Sequence, residues 1–250
     1  MGLSDAAGHD VRILSEDDHL VVAVKPAGLP TANAPRGTES LFTILKRWLG
    51  PGAFLGVVSR LDAPVSGVVV LAKTPRAAAS LAAAFRERTV EKSYAAIVTG
   101  RFPAALGEWV DWHDAISRPR EDVRSHLRPA HAAPGPADES DDDADARAQP
   151  AHTRCRVIRR AGEVSLVELE PSTGRRHQLR AQLAARGCPI VGDRRYGSRL
   201  PCRSGGIALH AERLAFAHPV TGATVEFTAP CRDRWAGVFP SLFPAANPSK

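Results

Sequence analysis

The chain has 250 residues, of which 44% are hydrophobic and 24% charged, enough for one sizeable globular domain or two small ones. Lysine and arginine number 33 against 27 acidic residues, which gives a formal charge of +6. Six of the acidic residues lie within positions 138–145, and without them 21 acidic residues face the same 33 basic ones, a charge of +12. This basic remainder favours a polyanionic partner.

The sequence also argues against several protein classes. No apolar run reaches the roughly 18 to 20 residues of a membrane-spanning helix, and the start MGLSDAAGHDVR lacks the basic and then apolar order of a secretory signal. We therefore expect a cytoplasmic protein without a membrane partner. Cys155, Cys188, Cys202 and Cys231 form no close pair of the kind that a zinc knuckle requires. They are predicted to be reduced, mostly buried residues that bind no metal.

The first 52 residues carry the signals of a hairpin and a helix. Apolar runs at 11–14 and 20–24 predict two strands joined by the acidic turn 15–18. Helical spacing of the apolar residues predicts a helix over 38–49, which the glycine and proline residues of 50–52 end.

The next segment predicts a strand, a helix and a strand. Residues 67–71 (GVVVL) form a β-branched run that is too short for a helix, which indicates a strand buried on both faces. Thr74 and Pro75 are typical of a helix start, and an alanine-rich run continues to Arg88. Residues 92–98 predict the following strand.

The last third predicts one more helix among several strands. Thr173 is expected to cap a helix over 175–186, which Gly187 ends. Further strand patterns fall at 157–169, 209–216 and 224–227, and a turn-rich segment falls at 189–197. Because short strands outnumber helices, the sequence predicts an α+β fold with a mixed, largely antiparallel central sheet flanked by helices.

One polar segment lies between apolar runs within residues 57–73 (VVSRLDAPVSGVVVLAK). Asp62 and Arg60 fall in its predicted tight turn, which places the carboxylate at the mouth of an apolar site. A buried aspartate beside an arginine is more often a structural ion pair, so this segment alone identifies no enzyme.

A second segment, residues 169–180 (LEPSTGRRHQLR), is a basic helix start. Arg176 and Arg180 are four residues apart and are therefore expected to share a helix face. Arginines at a helix start suit phosphate binding, although such a start is more often a solvated face.

Together these segments resemble the motifs of the RluA-type pseudouridine synthases. Lys92-Ser93-Tyr94 and residues 189–197 (PIVGDRRYG) follow in the family's order, and residues 16–28 are similar to its first strands. The resemblance covers about residues 11–230. It implies the pseudouridine synthase fold, with a catalytic cleft across the sheet, and an isomerase that converts uridine to pseudouridine in structured rRNA or tRNA. Such an enzyme breaks the N1–C1′ bond, turns the uracil and rejoins it through C5, with no metal or other cofactor.

The resemblance also implies roles for particular side chains. Asp62 is the expected catalytic residue, and Arg180 is expected to form an ion pair with it. Tyr94 is expected to lie against the uracil, with Leu179 as an apolar wall beside it. Because a uridine inside a stem cannot reach Asp62, the nucleotide must be extruded, and Arg60 is expected to fill the gap. Attack at C1′, attack at C6 and assistance of glycal formation are all compatible with the sequence.

Further residues are expected to contact RNA. His177 is interpreted as a hydrogen-bonding member of the helix start instead of a general base, and Gln178 beside it is included in the RNA-binding set. Phosphate contacts are expected from basic side chains of three segments, namely Lys92, Arg175, Arg176, Arg194 and Arg195.

Two departures from the family pattern border the active loop. Ser59 stands where the family usually has histidine, and Val65 stands where threonine is common. They support an alternative hypothesis, an RNA-binding module or RNA chaperone with the same fold and little turnover. A metal-dependent nuclease that uses the acidic residues of 141–145 is a weaker alternative, because acids in flexible chain do not hold octahedral geometry.

The predicted organisation is one catalytic domain over residues 11–240. Residues 1–10 and 241–250 are expected to be tails, the first of them disordered, and no S4 RNA-binding domain is expected before the first strand. Residues 119–150, rich in alanine, proline and acid, are predicted to be a flexible insertion. It is either a solvated loop or an electrostatic decoy that competes with RNA for the basic face. We expect a monomer.

Overall fold

The computed structural model describes residues 2–4, 8–117, 126–129 and 148–244. The helices are α1 (Leu41–Leu49), α2 (Pro75–Glu87), α3 (Gln178–Ala185) and α4 (Cys231–Trp235). The strands are β1 (Gly2–Ser4), β2 (Asp10–Glu16), β3 (Leu20–Lys25), β4 (Gly56–Val57), β5 (Ser66–Ala72), β6 (Glu91–Thr99), β7 (Trp109–Ser117), β8 (His126–Pro129), β9 (Gln149–Ala161), β10 (Val164–Pro171), β11 (Leu209–Ala217) and β12 (Thr224–Thr228).

These elements form two compact units, Met1–Ala95 with Cys202–Lys250 and Ala96–Pro201. The single catalytic domain predicted for 11–240 includes parts of both. The predicted α+β class with a mostly antiparallel sheet is confirmed, since each strand pair described below is antiparallel except the pairing of β5 with β11.

In the first unit, β3 pairs on one side with β2 and on the other with β5. The predicted hairpin at 11–24 is confirmed, and its turn is held by the Asp17 carboxylate, which accepts the backbone N–H groups of His19 and Leu20. β11 lies beside β5 with His210 opposite Ser66, and β12 pairs with β11. The sheet thus brings the start of β5 next to the start of β11.

The predicted burial of β5 on both faces is confirmed, since every residue of the strand is buried. Val69 and Leu71 pack in the cluster that contains Leu41 of α1. Val68 packs in the opposite cluster with Leu81 of α2. A helix on each face explains why this strand is continuously apolar instead of alternating.

Local capping sets the helix starts of this unit. The Ser40 hydroxyl accepts the N–H of Thr43 while the Thr43 hydroxyl accepts the N–H of Ser40. Ser40 is therefore the cap, and α1 begins at Leu41, three residues later than the predicted start at 38. Thr74 caps α2 as predicted, with Pro75 in the first turn. Arg88, in the left-handed conformation, ends it.

In the second unit, β9 pairs with β10 and with β7, and β7 also pairs with β8. The strand pattern predicted for 157–169 is a hairpin whose strands meet at Gly162. β7 is not predicted from the sequence. Its buried positions include the carboxylate of Asp114, which pairs with Arg186 at 3.0 Å and accepts a hydrogen bond from Gln182 at 2.8 Å.

Some predictions fall at the limits of the described chain. Gly2–Ser4, inside the predicted disordered tail, pairs with β2 and is therefore part of the sheet. Within the predicted insertion, His126–Pro129 forms β8 and residues 149 and 150 begin β9, while residues 119–125 and 130–147 lie outside the described residues. In the part of the chain that the structure describes, no helix is both long and apolar enough to cross a membrane. The four cysteines are free thiols, and all but Cys202 are buried.

Candidate active site

In the first unit, Asp62 begins a tight turn that main-chain hydrogen bonds close. The N–H of Val65 donates to the Asp62 carbonyl at 3.0 Å. The Ala63 carbonyl accepts the N–H of Gly28 at 2.8 Å, and the Pro64 carbonyl accepts the N–H of Ile207 at 3.1 Å. The turn is therefore fixed from two sides, and the half-buried Asp62 side chain takes no part in these bonds.

Lys25, at the end of β3, lies beneath this turn. Its side chain is fully buried, and its Nζ donates to the carbonyls of Leu29 at 2.7 Å, Pro26 at 2.8 Å and Ala63 at 3.1 Å. Burial lowers the pKa of the Lys25 ammonium to about 7, although the Asp62 carboxylate acts in the opposite direction. Lys25 thus ties the segment after β3 to the residue that follows Asp62.

Thr31 fixes the other side of Asp62. Its hydroxyl donates to the Leu61 carbonyl at 2.8 Å and accepts the Leu61 N–H at 3.1 Å. Both chain neighbours of Asp62 are therefore anchored through main-chain atoms.

Tyr94, on β6, shares the electrostatic environment of Asp62. The ring is half-buried, and burial followed by the Asp62 carboxylate raises the pKa of the phenol to about 12, so the phenol is neutral. The Arg60 side chain, two residues before Asp62, is exposed. Lys92 is half-buried, and burial together with Arg88 lowers the pKa of its ammonium.

A buried histidine holds the strand that follows the Asp62 turn. The Nε2–H of His210 donates to the Ala229 carbonyl at 2.8 Å, so its Nδ1 accepts the hydroxyl of Ser66 at 2.8 Å. Burial lowers the pKa of His210 to about 4, which keeps the ring neutral. Gly67 follows at a φ of +127°, and a Cβ there would lie 2.2 Å from the Ala211 carbonyl oxygen. Only glycine permits this close approach of β5 to β11.

In the second unit, Arg180 forms a buried, bidentate salt bridge with Asp193. Nε lies 2.7 Å and Nη2 2.9 Å from the two carboxylate oxygens, and the side chains are 7% and 1% exposed. The Arg180 guanidinium also lies over the Tyr196 ring, 5.0 Å from its centre. Asp193 and Tyr196 belong to the 189–197 motif, so the structure brings this motif onto the 173–180 segment.

The predicted start of the helix in this segment is wrong. α3 begins at Gln178, not at 175, and Thr173 does not cap it. The Thr173 hydroxyl instead donates to the Gln178 side-chain oxygen at 2.8 Å, and the same oxygen accepts the N–H of Arg175 at 3.0 Å. The side-chain nitrogen of Gln178 donates to the His152 carbonyl at 3.0 Å.

The shared helix face predicted for Arg176 and Arg180 is wrong for the same reason. Arg176 precedes the helix and is exposed, whereas Arg180 is buried within its first turn. His177 between them is left-handed, with a φ of +56°, and its Nδ1 lies 3.1 Å from the Tyr196 hydroxyl. Leu179 is 6% exposed.

The predicted site residues therefore fall into two groups. Arg60, Asp62, Lys92 and Tyr94 belong to the first unit, and residues 175–180 with Arg194 and Arg195 belong to the second. The Asp62–Arg180 pair joins residues of different units and stays a prediction.

Sequence reasoning missed three residues that hold these groups, Lys25, Asp193 and Tyr196. Lys25 lies within residues 16–28 and is marked by the proline that follows it. Asp193 and Tyr196 lie within residues 189–197, where the Gly-Asp and Tyr-Gly pairs mark them. The described residues contain no cluster of three or more His, Cys, Asp or Glu side chains suited to a metal ion, and residues 141–145 of the nuclease hypothesis lie outside them.

Comparison with known proteins defines the class. A profile of the RNA pseudouridylate synthase family matches residues 19–185. The chain therefore belongs to this family, and the resemblance seen in the sequence is confirmed. It is an RNA pseudouridine synthase, an isomerase, as its family and relatives indicate.

Particular relatives match over most of the chain. Ribosomal large subunit pseudouridine synthase C of Vibrio vulnificus is 32% identical over 238 residues, which cover 92% of this chain and 69% of the relative. The dual-specificity RNA pseudouridine synthase RluA of Pasteurella multocida is 34% identical over 227 residues, which cover 87% and 92%. Among solved structures, human RNA pseudouridylate synthase domain containing 4 matches with a TM-score of 0.70 and 26% identity over 92% of both chains.

Proposed function

We propose that this enzyme isomerises a uridine of ribosomal RNA and that Asp62 is the catalytic carboxylate. The observation that carries the proposal is the Asp62 turn, in which both flanking residues are anchored through their main chain and hold the half-buried carboxylate in a fixed place. A half-buried carboxylate on a fixed loop suits nucleophilic or proton-transfer chemistry. The names of several relatives, which include the large ribosomal subunit, favour ribosomal RNA as the substrate class.

The chemistry requires one bond to be exchanged for another. The N1–C1′ bond of uridine breaks, the uracil turns, and a C5–C1′ bond forms. C5 then loses its hydrogen to water and N1 gains a proton, so no redox change takes place. Asp62 acts on the sugar or the base, and the neutral Tyr94 ring provides a face along which the uracil turns.

Arg180 completes the site in this proposal by pairing with Asp62. A guanidinium already oriented by Asp193 loses little conformational freedom when it binds a second carboxylate. Leu179, next to it on α3, supplies the apolar wall beside the uracil.

Other side chains hold the RNA around the reacting base, one by filling the space of the extruded nucleotide and the rest by contacting phosphates. Arg60, which is exposed beside Asp62, fills the space that the extruded uridine leaves. His177 and Gln178 shape the segment that carries Arg175 and Arg176. Phosphates are contacted by five basic side chains, Lys92, Arg175, Arg176, Arg194 and Arg195. The enzyme acts as a monomer in the cytoplasm.

The test is release of tritium from RNA labelled with [5-³H]uridine. We expect the wild-type protein to release tritium from fragments of large-subunit ribosomal RNA, and Asp62→Asn to release none above background. Asp111→Asn, at an exposed aspartate of β7, is the matched control and should equal wild type. A wild-type protein that binds RNA but releases no tritium would support the RNA-binding module instead, and release from transfer RNA alone would correct the substrate class.

A further inference from the structure

A cavity of about 630 Å³ opens in the second unit at a place that the proposed site does not use. Its walls come from the residues after β6, from the β9–β10 hairpin and from the chain after α3. None of the residues assigned above to catalysis or RNA binding lines it. Residues 175–180 lie at the beginning of α3, whereas Gly187 and Pro189 of the cavity follow its end, and a helix of eight residues spans about 12 Å.

The side chains around this cavity are mainly cationic. Arg101, Arg160 and Arg199 line it with a single carboxylate, that of Glu163. All four residues are exposed. Neither Arg101 nor Arg199 makes a salt bridge with any residue of the described ranges. Among the residues that line it, the cavity therefore carries an excess of positive charge, three guanidinium groups against one carboxylate.

Arg160 is held in place at the rim. Its Nη2 donates to the carbonyls of Phe102 and Ala104. This arrangement leaves the hydrogens of Nε and Nη1 for a ligand. A guanidinium fixed by the main chain and still able to donate suits a phosphate oxygen.

Glycine forms much of the remaining wall, which brings main chain to the surface of the cavity. Gly100, Gly162, Gly187 and Gly197 all line it, and all have positive φ. A Cβ at Gly100 would lie 2.3 Å from the Gly187 carbonyl oxygen, so this contact requires glycine and places Arg101 beside the turn after α3. Without side chains at these four positions, an extended polymer can lie close to the backbone.

We propose that this cavity binds the phosphodiester backbone of the substrate RNA at nucleotides other than the one that reacts. The inference rests on the proposed function, since that function supplies the polyanion. An open, glycine-walled cavity suits a continuous chain of phosphates, and Leu200, 38% exposed at its edge, offers apolar contact to a sugar or base. The site adds affinity and register without touching the extruded uridine.

The chain offers a matched pair of variants for the test. Arg160 lies opposite Ser165 of β10, which also lines the cavity, whereas Arg159 lies opposite Leu166. Successive strand residues point to opposite faces. Arg159→Glu therefore makes the same charge change at an exposed position of the same strand, but away from the cavity. Arg199→Glu is a second cavity variant, in case Arg160→Glu does not fold.

The dissociation constant for a ribosomal RNA fragment is measured against salt concentration for each variant. We expect Arg160→Glu and Arg199→Glu to weaken binding on the order of tenfold relative to Arg159→Glu, and each to lower the salt slope by about 1. Glu163→Gln, which removes the single carboxylate, should tighten binding. Tritium release at saturating RNA should match that of Arg159→Glu.

Two results would overturn the inference. One is equal affinity and equal salt slope for the Arg160 and Arg159 variants. The other is a difference that persists on an RNA trimmed to the target loop, because the cavity would then contact the reacting region. A wild-type protein that releases no tritium while the Arg160 and Arg159 variants still differ in affinity would overturn the proposed function alone.

Discussion

The Asp62 turn and the 173–180 segment, which carry the two halves of the proposed site, are held by different kinds of contact. The Asp62 turn is fixed through carbonyl and N–H groups, with Lys25 and Thr31 as the main side-chain partners. The 173–180 segment is fixed by side chains, through the Arg180–Asp193 salt bridge and the Thr173–Gln178 hydrogen bond.

This difference decides which substitutions each region tolerates. Where the main chain makes the contacts, the side chain at a given position can change without breaking them. Val65, which stands where the family commonly has threonine, still donates its N–H to the Asp62 carbonyl, and its buried side chain suits an apolar residue. In the 173–180 segment the side chains of Thr173, Gln178 and Arg180 are themselves the partners, so substitutions there remove contacts directly.

The largest expected effect on stability is at the buried salt bridge. Asp193→Asn removes this counter-charge from Arg180, and loss of one partner of a buried pair costs about 3–5 kcal/mol of unfolding free energy. The matched control is Glu170→Gln, whose carboxylate lies 3.8 Å from Arg154 in a half-exposed pair, with an expected cost of about 0–1 kcal/mol. Urea unfolding measures both, and equal midpoints would show that the segment does not depend on the salt bridge.

The next largest effect is expected on kcat and tests whether Lys25 positions the Asp62 turn. Lys25→Met removes the donor shared by three carbonyls, and a displacement of the turn by about 1 Å is expected to lower kcat about a hundredfold. KM for RNA should change little, because Lys25 is fully buried. Lys73→Met, at a lysine that binds Glu16 near the end of β5, is the control. A kcat equal to that of the control would remove Lys25 from the positioning of Asp62.

A smaller, pH-dependent effect is expected at His210, which supports the strand after the turn. The unfolded imidazole has a pKa near 6.5 and the folded one about 4, so the unfolded chain takes up a proton first as the pH falls. Stability is therefore lost between pH 6.5 and 4, with about 2 kcal/mol lost between pH 7 and pH 5. His210→Gln should lack this part of the pH dependence. Parallel curves for the two proteins would contradict the buried, neutral state.

The smallest effect tests the other anchor of the turn. Thr31→Val leaves both main-chain groups of Leu61 without the hydroxyl and should lower the unfolding free energy by about 1 kcal/mol. Thr89→Val, whose exposed hydroxyl donates only to the Ala84 carbonyl, should change it by less than about 0.5 kcal/mol. Thermal unfolding compares the two, and a larger loss at Thr89 would reverse the order.

The sequence predicts those parts of the fold that local patterns determine. The GVVVL run of β5 needs apolar neighbours on both faces whatever the fold, and the cap and proline at Thr74 and Pro75 define a helix start without distant contacts. The order of motifs likewise indicates the family, because each motif is a short local string.

Where distant contacts decide, sequence reasoning fails. Thr173 has the residue type of a helix cap, but its hydroxyl is taken by Gln178, whose side chain also binds the distant His152 carbonyl. β7 does not have a simple apolar pattern, because the burial of Asp114 depends on Arg186. Lys25 has the residue type of a surface cation, and its burial depends on the Ala63 carbonyl, 38 residues away.

The most direct test of the central claim, that Asp62 performs the isomerisation, is made in the organism that encodes the protein. Pseudouridine is mapped at single-nucleotide resolution in total RNA from the wild-type strain and from a strain whose chromosomal allele carries Asp62→Asn. We predict that one or a few ribosomal RNA sites lose pseudouridine completely in the mutant while the variant protein is present at normal levels. An unchanged map in the Asp62→Asn strain, with the same sites lost when the gene is deleted, would contradict the assignment of Asp62.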